Sequence, residues 1–60
     1  MSIHEQIKEH YETYLAEHEK WEDKGVKASA TRARKALGEL SKLSKHRRAE
    51  IQNKKNALKG

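Results

Sequence analysis

The chain has 60 residues, with 14 Lys and Arg against 9 Asp and Glu, a formal net charge of +5, and neither cysteine nor proline. A chain this short rarely stabilises itself with a single hydrophobic core, so a second copy or a ligand is expected to help hold it. The lack of cysteine excludes disulfides, thiolate metal ligands and a cysteine nucleophile; no apolar run approaches the roughly 20 residues of a membrane span, and no basic-then-apolar export signal is present, so the expectation is an intracellular, cytoplasmic protein.

Ser2 followed by Glu5 fits a capping box and predicts a first helix from about residue 3. Ile7, Tyr11, Tyr14, His18 and Trp21 then recur at four- and three-residue steps, with Leu15 widening the stripe. Gly25 suits the left-handed residue that closes a helix, so the helix should stop at residue 24 with Val26 clasping Trp21. Glu22 and Asp23 at this helix end, and Lys27 at the start of the next, are each unfavourable to their own helix dipole. Mutual pairing across the turn is the expected compensation.

The second helix is predicted over about 27–58. Val26, Ala30, Ala33, Leu37, Leu40, Ser44, Arg47, Ile51, Lys54 and Leu58 keep a heptad seam without a slip. Gly38 lies off this seam and is read through as helix, at a cost of about 1 kcal/mol. At 1.5 Å per residue the first helix is roughly 33 Å long and the second roughly 47 Å. An antiparallel hairpin therefore leaves the end of the second helix, with Ile51 and Leu58, uncovered. The expected fold is all-α, one small domain over 1–60, forming a two-helix antiparallel hairpin that assembles as a dimeric helical bundle. Its expected oligomer interface is Tyr14, Trp21, Leu37, Leu40, Leu43, Ile51 and Leu58.

Charge divides at the turn. Residues 1–25 hold three Lys and seven Asp or Glu (3 − 7 = −4), whereas residues 26–60 hold eleven Lys or Arg and two Glu (11 − 2 = +9). The surplus of cations on a helix suits a polyanion. The candidate nucleic-acid-binding residues are Lys27, Arg32, Arg34, Lys35, Lys42, Lys45, Arg47, Arg48, Lys54 and Lys55. The plainer reading of such residues is a solvated helix face. Contacts of this kind neutralise phosphates without reading bases.

Four histidines, His4, His10, His18 and His46, include no i,i+4 pair of the kind a helical metal site uses. His18 is expected as a half-buried packing residue. The aromatic residues at helical spacing are expected in the core rather than stacked on bases. One Asp, no Gly-rich loop and no pocket-sized core argue against an enzyme. No catalytic residue, metal or other cofactor is expected.

The string KASATRARKALGEL, continuing to AEIQNKKNALK, resembles the bacterial histone H1-like proteins of the Hc1 type over roughly residues 17–59. The resemblance is strongest over Lys27–Leu40 and Ala49–Leu58. It implies a histone-like, nucleoid-associated, DNA-binding role, with Lys27, Arg32, Arg34 and Lys35 as the basic cluster. Ala30 departs from the glycine often found there, and His46-Arg47-Arg48 replaces a more acidic stretch. The residues and the resemblance together lead to a sequence-nonspecific binder of double-stranded DNA, with RNA as a possible substitute, acting as a homodimer or higher homo-oligomer. The alternative is a small helical module that docks on an acidic protein.

Overall fold

The computed structural model describes the backbone of residues 1–59 and the side chains of residues 1–58. Two helices, α1 (Ile3–Lys24) and α2 (Lys27–Lys59), lie against each other in a rod of 53 × 17 × 14 Å, with no strand among the described residues.

Local chemistry sets the ends of α1. The Ser2 hydroxyl accepts from the Glu5 backbone N–H at 3.0 Å and satisfies one of the helix's free donors. Glu5 closes the motif in a variant way: its carboxylate accepts from the Ser2 hydroxyl at 3.1 Å. At the other end Gly25 sits at φ 64°, ψ 30°. The Gly25 N–H reaches the Trp21 carbonyl at 3.0 Å, which is the 5→1 bond of an αL ending, and the Val26 N–H reaches the Lys20 carbonyl at 3.4 Å. α2 starts less well. Val26 offers its carbonyl to Ser29 and Ala30 but has no side-chain acceptor, and the first turn carries no acidic residue.

The expected pairing of Lys27 with Glu22 or Asp23 is absent among the described residues. All three are exposed, where a water-screened pair gains too little to hold long side chains in place.

The helices meet along rows turned slightly from the expected ones. On α2 the buried residues are Ser29, Ala33 and Ala36, followed by half-buried Leu40, Leu43 and Arg47. On α1 the matching row is Ile3, Ile7, His10, Tyr14 and Glu17, all half-buried. The expected stripe placed Tyr11 and Trp21 inward, and both are exposed, as is Leu15. The expected seam likewise included Val26, Leu37, Ile51 and Leu58, which are exposed. Two rows with the same heptad period run side by side on α2. The one with the smaller side chains faces α1, because small residues at the contact let the axes come close.

Beyond Arg47, residues 48–58 are all exposed. This stretch carries α2 past its last half-buried residue as an exposed helix.

Candidate nucleic-acid interface

One buried polar cluster ties the helices together near the turn. The Ser29 side chain is fully buried and accepts from Arg32 Nη2 at 3.3 Å. Arg32 Nε stands 3.0 Å from Oε2 of Glu17, whose side chain is only 12% exposed. That oxygen has no well-directed hydrogen bond among the described residues, so its contact with Arg32 is ionic rather than aligned. The Ser29 hydroxyl is the largest influence holding the Glu17 carboxyl below its ordinary value. Partial burial opposes this, and Arg32 reinforces it. A signal for the cluster lies in the sequence: Glu17 follows Ile3, Ile7, His10 and Tyr14 in unbroken four- and three-residue steps, so a carboxylate there must meet α2.

This cluster sorts the predicted cations. Arg32 is half-committed to the fold. Arg47 pairs with Glu50 at 3.2 Å, and Lys42 lies 4.0 Å from Glu39, both within α2. Lys27, Arg34, Lys35, Lys45, Arg48, Lys54 and Lys55 are exposed and make no ion pair among the described residues. At 100° per residue, Lys27, Arg34, Lys45 and Arg48 fall within an arc of about 60° on one flank of α2. Lys35 and Lys42 lie on the other flank. Lys54 and Lys55 stand on the uncovered end, where Arg47, Glu50, Ile51 and Leu58 complete a shallow surface.

Two open grooves run between the helices. One is walled by His10, Thr13, Arg32, Lys35, Ala36 and Glu39. The opposite one is lined by Tyr14, His18, Trp21 and Glu22 from α1 and by Ala30, Ala33, Arg34 and Leu37 from α2. His18 is half-buried there and stacks on Tyr14, with ring centroids 5.6 Å apart.

The residues expected at an oligomer interface divide likewise. Tyr14, Leu40 and Leu43 are half-buried within the single chain, while Trp21, Leu37, Ile51 and Leu58 remain exposed. Among the described residues no three His, Asp or Glu side chains cluster to hold a metal, and no helix is long and apolar enough to cross a membrane.

What the arrangement offers chemically is positive charge on a rigid helical scaffold, spread over one flank and an unsheathed end. No curated protein and no solved structure matches the chain. The family model described as histone H1-like protein Hc1 matches residues 1–57, and the chain therefore belongs to that family.

Proposed function

We propose that this protein is a histone-like, nucleoid-associated factor that binds double-stranded DNA without sequence preference and self-associates to do so. The observation that carries this reading is the distribution of charge on α2. Among the described residues, seven cations of one helix are exposed without an ion pair, and three of them, Arg48, Lys54 and Lys55, stand on the uncovered end. Membership of a histone H1-like family supports the same reading and fits a binding role rather than a catalytic one. Each Lys or Arg that neutralises a phosphate releases condensed counterions, so affinity is electrostatic and indifferent to base sequence. Self-association multiplies the contacts made by each bound unit and allows two duplex segments to be bridged.

The test is binding to random-sequence DNA of about 30 base pairs across roughly 50–300 mM salt. A log–log slope corresponding to about four or more released counterions per bound unit is expected. Negligible binding at about 50 mM salt would overturn the proposal and leave docking on an acidic protein as the reading to pursue. Duplex RNA in the same titration distinguishes the two nucleic acids.

A further inference from the structure

α2 carries a row, apolar but for a central serine, that its own hairpin leaves largely uncovered beyond Ala30. Ala30, Leu37, Ser44, Ile51 and Leu58 stand at strict seven-residue intervals. Leu37 is 47% exposed, Ile51 53% and Leu58 80%. Scattered exposed hydrophobic residues need no explanation, but a heptad row over four intervals is the pattern of a helix–helix seam. The row borders the face turned to α1, on the same side as the groove lined by Tyr14, His18, Trp21 and Leu37.

The geometry points to a second copy of this chain as the occupant, with the two α2 helices antiparallel and related by a two-fold axis at Ser44. This rests on the self-association proposed above and specifies its form. The row is symmetric about its centre. With Ser44 beside the partner's Ser44, Leu37 lies beside the partner's Ile51 and Ala30 beside the partner's Leu58. The small serine at the axis permits close approach.

Chain length and charge select the antiparallel sense. A parallel pair would also match the row to itself, but it would bring together two free ends that each carry Arg47, Arg48, Lys54 and Lys55 against a single Glu50. It would also leave both ends without α1 beside them. The antiparallel pair lays each free end along the partner's turn end, where Trp21 and the Tyr14–His18 stack line a groove and Glu19, Glu22 and Asp23 balance Lys20, Lys24 and Lys27, so charge there is less one-sided than at a second free end. One arrangement thus covers the uncovered helix and separates the cationic ends.

The symmetry has a consequence for the bound polyanion. A two-fold axis perpendicular to both helices keeps like flanks on the same side. The two α1 helices fall on one side of the α2 pair, together with Glu39 and Glu50, the only carboxylates of α2. Lys27, Arg34, Lys45 and Arg48 of both chains fall on the other. From Lys27 to Arg48 the helix rises about 32 Å, close to one turn of duplex DNA at about 34 Å. The pair therefore offers a single cationic face, four side chains from each copy, while its acidic helices point away.

The chain has no native cysteine, so single cysteines report the pairing directly. Ser44→Cys, Leu37→Cys and Ile51→Cys are made separately, checked for unchanged helicity, and oxidised mildly at about 100 μM. The buffer contains no DNA and about 300 mM salt, to screen like charges, and the mass of the unmodified chain is measured in it by sedimentation. The expected result is a dimer mass, efficient cross-linking of Ser44→Cys to itself, and cross-linking of Leu37→Cys to Ile51→Cys only when the two are mixed. A monomer mass would overturn self-association and this arrangement with it. A dimer in which Leu37→Cys links to itself would overturn the antiparallel pairing alone. Either result leaves the DNA-binding reading to its own titration.

Discussion

Glu17 and Arg32 form the one ion pair that joins α1 to α2 among the described residues, with Oε2 and Nε 3.0 Å apart. The pair sits over the fully buried Ser29, so the hairpin is locked near its turn by polar contacts and zipped further along by apolar ones.

The Glu17 carboxyl is held below its ordinary value, first by the Ser29 hydroxyl and then by Arg32. A group whose folded value is depressed contributes stability that is fully present above its unfolded value and lost as the pH falls through the folded one. Thermal unfolding followed by circular dichroism should therefore give a lower midpoint at about pH 3 than at neutral pH. Glu17→Gln should lower the neutral-pH midpoint and reduce the difference between the two. A variant as acid-sensitive as the parent would assign the effect to other carboxylates.

Arg32 uses Nε for Glu17 and Nη2 for Ser29. Lysine has one ammonium and cannot serve both positions. Arg32→Lys should keep the net charge yet lower thermal stability, while Lys35→Arg, on an exposed position, should not. Equal stabilities for the two variants would remove Arg32 from the fold.

The two inner glycines should respond in opposite directions. Gly25 holds a positive φ of 64°, which costs a side-chain-bearing residue about 1–2 kcal/mol, so Gly25→Ala should destabilise. Gly38 lies inside α2 with open space where a Cβ would stand, and Gly38→Ala should add about 1 kcal/mol, read as a rise of roughly 4–8 °C in Tm. A neutral result at Gly38 would indicate fraying of that part of α2 in solution.

The flank bearing Arg34, Lys45 and Arg48 should dominate phosphate contact. Changing all three to Gln should reduce the salt slope by about 0.9 for each phosphate no longer neutralised, with helicity unchanged. Changing Lys35 and Lys42 on the opposite flank should cost less. Equal effects per residue would indicate that charge alone, rather than its placement, governs affinity.

Ending the chain after Arg47 should leave the packed hairpin intact, because residues 48–58 are all exposed and lie past the last half-buried position of α2. The same truncation removes Arg48, Lys54 and Lys55 and should weaken DNA binding at every salt concentration. Undiminished affinity would confine the interface to the covered half of α2.

The helices, their unequal lengths, the turn and the division of charge are all legible in the chain before it folds. These features follow from interactions within a few residues: a serine that caps, a glycine that tolerates positive φ, a three-and-four spacing of apolar side chains, and the count of cations along one helix. The rotation of each helix about its axis is not legible there, because two heptad rows lie side by side on α2 with the same period. Packing settles it. Close approach favours Ser29, Ala33 and Ala36, whose small side chains let the axes come together, and the ion pair of Glu17 with Arg32 holds that choice. Leu37, Ile51 and Leu58 are thereby left outside, and Arg32, alike in sequence to the other cations, is drawn into the fold because a carboxylate lies opposite it across the hairpin.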